Sequence, residues 1–89
     1  MPDCSGKTAV VTGANSGLGF EATKAFARNG GTVVMACRSR DRGQRAAREI
    51  ADGLSGGRLD VRHCDLGSLR SVESFADGVR EAYDSLDVL

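Results

Sequence analysis

Three glycines, spaced as GxxxGxG directly after a short apolar run, constrain the fold of this chain more than any other sequence feature. The run Thr8–Thr12 (TAVVT) is continuous and β-branched, which is typical of a strand buried on both faces. Helical spacing of apolar residues begins at Phe20, so the glycines lie in a loop between a strand and a helix. In that context the loop predicts a tight turn that a phosphate-bearing ligand approaches closely.

Each glycine of the loop has its own predicted role. Gly13 allows the turn off the strand, Gly17 lets a pyrophosphate approach the backbone, and Gly19 lets the helix pack closely. Amide groups from Ser16 to Gly19 then face an anion at the positive end of the helix dipole. The alternative is a glycine-rich turn that binds nothing. The loop residues predicted to bind a ligand are Gly13, Asn15, Ser16, Gly17, Leu18 and Gly19.

The rest of the chain alternates predicted helices with predicted strands. The helices cover Phe20–Asn29 and Asp41–Asp52, and a third, capped by Ser68, carries an apolar stripe from Leu69 to Tyr83. The later strands are Thr32–Ala36, an alternating segment at Leu59, Val61 and His63, and the start of a fourth at Leu86–Leu89. This order predicts an α/β fold, a Rossmann-type doubly wound parallel sheet with right-handed crossovers. We expect it to be incomplete, because the fourth strand has only begun.

Length and composition narrow the class of protein. The 89 residues suffice for one small domain or a piece of one. Twelve basic and twelve acidic residues give no net charge, which argues against nucleic acid or an anionic membrane as a partner. Three cysteines without CxxC spacing favour a reducing cytoplasm over a disulfide framework. The chain has neither an apolar run of membrane-spanning length nor a leader-like N-terminus, and Cys4 is expected in a frayed end.

Four segments together resemble the short-chain dehydrogenase/reductase family. They are TGANSGLGF after the first strand, VVMACR at 33–38, Asp65-Leu66 after the third strand, and LDVL at 86–89. The ACR segment is most similar to the retinol-dehydrogenase-like and protochlorophyllide-reductase-like branches. The resemblance covers the whole chain and implies that residues 1–89 are the N-terminal part of a single NADP-binding Rossmann domain.

The end of the second strand bears on which cofactor is bound. By resemblance, Cys37 stands where NAD-preferring members carry an aspartate, so the acid that would repel a 2′-phosphate is absent. Arg38 follows and can pair with that phosphate of NADP(H) through its planar fork. Ser16 or Ser39 could add a hydroxyl contact. The alternative is that Arg38 belongs to the solvated basic run that continues through Arg48.

The resemblance also assigns the adenine. By resemblance, the Asp65 carboxylate contacts the adenine amino group, and the Leu66 backbone contacts a nitrogen of the adenine ring. The alternative for Asp65 is a capping residue for the helix near Ser68.

The family's catalytic set is missing from these residues. That set is an Asn in an NNAG segment, a Ser and a Tyr-x-x-x-Lys pair, whereas the only tyrosine, Tyr83, is followed four positions later by Asp87. Tyr83 is therefore predicted to pack on a helix face. Cys37, His63 and Cys64 lack the spacing of metal ligands.

Three functions remain open. The first is the N-terminal part of an oxidoreductase that transfers hydride between NADP(H) and an alcohol/carbonyl substrate, an activity that requires a further C-terminal part. In that full-length form a homo-oligomer is allowed. The second is a non-catalytic, stand-alone nucleotide-binding module. The third is a vestigial fragment or interaction domain.

Overall fold

The computed structural model describes residues 3–15, 17–54, 56–83 and 86–88. Strands and helices alternate along the chain in the predicted order. Their bounds are β1 Thr8–Thr12, α1 Gly17–Arg28, β2 Thr32–Cys37, α2 Arg40–Ala51, β3 Arg58–His63, α3 Leu69–Ala82 and β4 Asp87–Val88. The predicted Rossmann-type α/β class is confirmed.

The four strands form one parallel sheet in the order β3-β2-β1-β4. β1 and β2 pair without a break from Thr8 opposite Thr32 to Thr12 opposite Ala36. β2 and β3 pair in the same way as far as Cys37 opposite His63. The carboxyl ends of these three strands are therefore level, and the loops that follow them leave from one edge of the sheet.

The sheet separates two unequal apolar clusters. On one face α1 and α2 pack on the central strands, and their contacts include Phe26, Ile50, Val33 and Met35. On the other face the buried members are Val10 and Val34 of the sheet and Val79 of α3. Both central strands are thus covered on both faces, as their continuous apolar sequences predict.

Serines begin the second and third helices. Ser39 caps α2 and accepts a hydrogen bond from the Arg42 amide at 3.3 Å. Ser68 caps α3 as predicted, and its hydroxyl accepts from the Ser71 amide at 3.3 Å. No helix in the described ranges has the length and apolar character needed to cross a membrane.

The observed helix bounds differ from most of the predicted ones, by three residues at the start of α1 and by one residue at both ends of α2 and at the ends of α1 and α3. The first helix starts at Gly17 and not at Phe20, so it begins inside the glycine motif. The third helix ends at Ala82, because Tyr83 adopts an extended backbone with φ −134°. Tyr83 does pack against the smaller cluster, and its hydroxyl also donates to Asp60 Oδ2 at 2.7 Å. The predicted fourth strand is seen at Asp87–Val88, while Leu89 lies outside the described residues.

The expectation of a frayed end at Cys4 is wrong. Cys4 is buried in the larger cluster, and its amide donates to the Asn29 carbonyl at 2.8 Å. That contact joins the segment before β1 to the turn after α1.

Candidate functional site

The glycine loop connects β1 to α1 at the carboxyl edge of the sheet. Gly13 has φ +62° and Gly17 has φ +59°, a left-handed backbone that favours glycine. The Gly13 amide donates to the Ala36 carbonyl at 3.1 Å, which holds the start of the loop on β2. Apart from its chain neighbours and its own helix backbone, no described residue lies within 4 Å of where a Cβ on Gly17 would stand, so the space beside it is open to a ligand.

Gly19 has a different reason to lack a side chain. A Cβ there would overlap the Gly13 carbonyl oxygen and lie 2.8 Å from the Gly13 carbonyl carbon and 3.1 Å from the Thr12 oxygen. The first turn of α1 therefore lies directly against the loop, as predicted for this glycine. The buried Thr23 hydroxyl donates to the Gly19 carbonyl at 2.7 Å and fixes this turn from inside the helix.

A cleft of about 570 Å³ opens beside the loop, between the ends of β1, β2 and β3. It brings together predicted site residues from three loops that are distant in sequence. The predicted residues that line it are Gly13, Asn15, Arg38, Asp65 and Leu66. Gly17 lines a neighbouring depression, which Asn15 also borders. Leu18, Gly19 and Ser39 line neither, and Ser16 lies outside the described residues.

Arg38 lies on the rim of the cleft, just after β2. Its side chain is exposed. Among the described residues, its guanidinium has no ion-pair or hydrogen-bond partner. Ser39 beside it accepts a bond as the helix cap, which leaves its hydroxyl proton available to donate. This rim can thus offer a free cation and a hydroxyl donor to an anion.

Asp65 forms the turn that leads into α3. Its Oδ1 accepts from the Gly67 amide at 2.9 Å, and its own amide donates to Ser71 Oγ at 2.9 Å. Because Ser68 caps α3, the alternative role of Asp65 as the helix cap is not seen. Leu66, next in the turn, is 68% exposed beside the cleft.

Two buried thiols lie at the strand ends by the cleft: Cys64 lines it, and Cys37 is the last residue of β2. The Cys64 amide donates to the Cys37 carbonyl at 3.0 Å, which joins the ends of β3 and β2. Burial raises the pKa of the Cys37 thiol, against a smaller opposing effect of the Ala14 and Asn15 amides. Burial, and then the Asp65 charge, raise the pKa of Cys64. Both therefore stay neutral near pH 7, and no metal-binding group of three His, Cys, Asp or Glu side chains occurs in the part of the chain described.

Two further arginines border the loop, in the basic run that the sequence assigned to solvent. Arg42 and Arg45 are exposed, but both line the depression that holds Asn15 and Gly17. Their i,i+3 spacing, which puts both on one face of α2, was the available signal. That this face turns toward the glycine loop depends on how α2 packs beside α1.

Comparison with known proteins agrees with this geometry. The family model described as short chain dehydrogenase matches residues 7–89. The WW domain-containing oxidoreductase of Gallus gallus is 41% identical over 87 residues, which are 98% of this chain and 21% of that protein. Retinol dehydrogenase 13 of Homo sapiens is 38% identical over 84 residues, which are 94% of this chain and 25% of that protein.

A solved structure of a metagenomic short-chain oxidoreductase in complex with NADP superposes with a TM-score of 0.87 at 34% identity. The match covers 98% of this chain and 38% of that one. Menthone neomenthol reductase from Mentha piperita gives 0.84 at 35% identity, over 92% of this chain and 30% of its own. The chain thus spans about a fifth to a quarter of the length of the two curated relatives above.

Proposed function

The chain belongs to the short-chain dehydrogenase family, and we propose that it binds the adenosine and pyrophosphate part of NADP(H). Members of this family bind a nicotinamide cofactor. Preference for the 2′-phosphorylated form, and the residues that bind it, are our proposal. The observation that carries it is the single cleft that gathers Gly13, Asn15, Arg38, Asp65 and Leu66.

The pyrophosphate would lie at the N-terminus of α1. The left-handed Gly13 and Gly17 and the open space beside Gly17 leave the loop backbone accessible to a bulky anion. The sequence assigns the amides from Ser16 to Gly19, including that of Leu18, as the donors at this helix end, where the helix dipole favours negative charge. Arg42 and Arg45 in the adjoining depression would add positive charge there.

The 2′-phosphate would lie at the rim formed by Arg38 and Ser39. Arg38 is exposed and unpaired within the described ranges, and the position before it holds a neutral thiol and not an acid. A planar guanidinium can hold a phosphate through two parallel hydrogen bonds. The adenine would then lie near Asp65 and Leu66, which line the same cleft.

We propose that this binding region serves a longer oxidoreductase. When bound, the cofactor would give or take a hydride from an alcohol or carbonyl substrate. These residues hold and orient its adenosine half, while the Tyr-x-x-x-Lys pair of the family does not occur among residues 1–89. On this proposal residues 1–89 are the N-terminal part of one NADP-binding domain, in a cytoplasmic protein that can form homo-oligomers.

The first test is a calorimetric titration of the chain with NADPH and with NADH. We expect NADPH to bind more tightly. Arg38→Ala should weaken NADPH binding by about ten- to a hundredfold, the value of a charged hydrogen bond, and leave NADH binding nearly unchanged. Arg48→Ala is the matched control, since Arg48 is exposed on α2 and lines neither the cleft nor the depression.

Two results would contradict the proposal. Equal affinity for NADPH and NADH in the wild-type chain would remove the assigned preference. An Arg38→Ala variant that keeps the full preference would show that another cation binds the 2′-phosphate.

A further inference from the structure

The outer edge of β3, on the side away from β2, is a second candidate binding surface. β3 is the last strand of the sheet and pairs only with β2 in the described part of the chain. In the doubly wound strand order, further strands add beyond the opposite edge, next to β4. In that order β3 is the edge strand, and an edge strand presents backbone N–H and C=O groups that another chain can pair with.

A groove of about 660 Å³ runs along this edge. Val61, which packs toward α2, and Phe75 of α3 form its apolar part. Three arginines from three different elements line it: Arg40 at the start of α2, Arg62 in β3 and Arg70 in the first turn of α3. The groove wraps around the strand edge, since its walls come from both faces of the sheet.

The groove has an excess of positive charge in a chain whose net charge is zero. Its one acid, Asp60, is already engaged, because Oδ2 accepts from Arg62 Nε at 3.0 Å and from the Tyr83 hydroxyl at 2.7 Å. Arg40 and Arg70 are exposed, and the described residues provide neither with an ion-pair partner. The groove thus holds one guanidinium bonded to Asp60 through its Nε and two uncommitted ones.

A second copy of this edge is a poorer occupant, because it would bring the same positive excess of Arg40, Arg62 and Arg70 to the pair. Like charges directly opposite one another destabilise a strand pair. The edge is better suited to a strand of opposite charge.

We propose that this groove binds an extended acidic segment of a partner protein, which adds as a strand to the β3 edge. Main-chain hydrogen bonds to the free edge would supply affinity. Acidic side chains at every second position would share the face of the added strand on the α3 side, where Arg62 and Arg70 lie. The apolar side chains between them would lie on the Val61 side, where Arg40 at the start of α2 adds positive charge. This site is separate from the nucleotide cleft, so either proposal can fail without the other.

The probe is a fluorescein-labelled peptide of about ten residues, the length of a long strand, in which glutamate and valine alternate. Its binding to the full chain is measured by fluorescence anisotropy in low salt, with saturating NADPH present. We expect binding that weakens as salt rises, and no binding of a peptide with lysine in place of glutamate. A peptide with the same side chains but with backbone N-methyl groups on a central glutamate and the adjacent valine keeps the charge and lacks a donor on each edge, so it should bind about tenfold more weakly.

The variant R40E/R70E should weaken binding about tenfold or more, because it reverses the two uncommitted groove charges. R48E/R80E is the matched control: it changes the same two helices by the same charge, at exposed positions away from the groove, and should bind as the wild type does. Hydrogen exchange should show new protection of amides in β3 on peptide binding.

Three outcomes would overturn the proposal. These are no binding at low salt, equal loss in the groove and control variants, or equal binding of the N-methylated and unmodified peptides. The last would mean that the arginines attract anions without strand addition.

Discussion

At the scale of single residues, the two glycines within α1 and α3 that have a close neighbour differ in what that neighbour is. A Cβ on Gly19 would overlap the backbone carbonyl of Gly13, which cannot move without displacing the loop. A Cβ on Gly78 would lie 3.0 Å from Arg62 Nη1, the far end of a flexible side chain. Substitution by alanine should therefore lower the stability of the fold at Gly19 and raise it at Gly78.

We expect Gly19→Ala to lower the free energy of unfolding by about 1–2 kcal/mol, since overpacking against backbone outweighs the gain in helix propensity. It should also weaken NADPH binding, because the loop must shift. Gly78→Ala is the control and should raise stability by up to about 1 kcal/mol, the propensity difference between the two residues. Urea unfolding of both variants measures the difference. Equal effects would show that the loop yields to the added methyl group.

At the scale of elements, the two helix caps allow an effect on stability to be distinguished from an effect on NADPH binding. Ser39 and Ser68 each accept one amide hydrogen bond at 3.3 Å, so Ser39→Ala and Ser68→Ala should each cost about 1 kcal/mol of stability. Only Ser39 lies beside Arg38 at the proposed phosphate rim. We therefore expect Ser39→Ala alone to weaken NADPH binding beyond its effect on folding, as measured by titration well below the melting temperature. A comparable loss of affinity in Ser68→Ala would remove Ser39 from the site.

The bond between Tyr83 and Asp60 joins the end of α3 to β3, and it makes stability depend on pH. Burial, followed by the hydrogen bond and charge of Asp60, raises the pKa of Tyr83 above its ordinary value of 10.0. The folded chain therefore keeps this proton to higher pH than the unfolded chain. Its contribution to stability is complete below pH 10.0 and is lost as pH rises through the folded pKa.

Tyr83→Phe should thus cost about 1–2 kcal/mol at pH 8, the value of a partly exposed hydrogen bond to a charged group. The difference from the wild type should shrink above the ordinary pKa of 10.0. Urea unfolding at several pH values measures it. Cys37 and Cys64 also titrate in alkaline solution, but they are common to both proteins and cancel in the comparison. A difference that stays constant into strong alkali would show that the phenol proton has no part in it.

At the scale of the whole molecule, sequence predicted best what depends on local pattern. The run TVVMA predicted a strand covered on both faces, and Ser68 predicted where α3 begins. Level strand ends in a parallel sheet explain why Gly13, Arg38 and Asp65 meet at one cleft. Contacts between distant segments were not predictable. Cys4 is buried because it meets the turn at Asn29, and Arg42 lies near the loop because of helix packing.

The unequal faces of the sheet predict an uneven distribution of stability. α2 buries four residues, Gly43, Ala46, Ala47 and Ile50, whereas α3 buries only Val79 among its described side chains. Regions with few buried apolar contacts open at lower free energy than the global transition. A chain of this size buries a modest fraction of its surface on folding. The sheet face covered by α3, which has the smaller cluster, therefore limits how cooperatively the chain unfolds.

We expect amides of α3 to exchange at least about tenfold faster than those of α2, which corresponds to about 1.4 kcal/mol in opening free energy. Native-state hydrogen exchange measures this directly, with the fully covered β2 as the slow reference. NADPH should slow exchange in α1 and at the carboxyl ends of β1 and β2 more than in the distal half of α3, since only the former border the proposed site. Uniform protection across α2 and α3 would mean that the smaller cluster is as cooperative as the larger one, and that packing on either face suffices to hold the sheet.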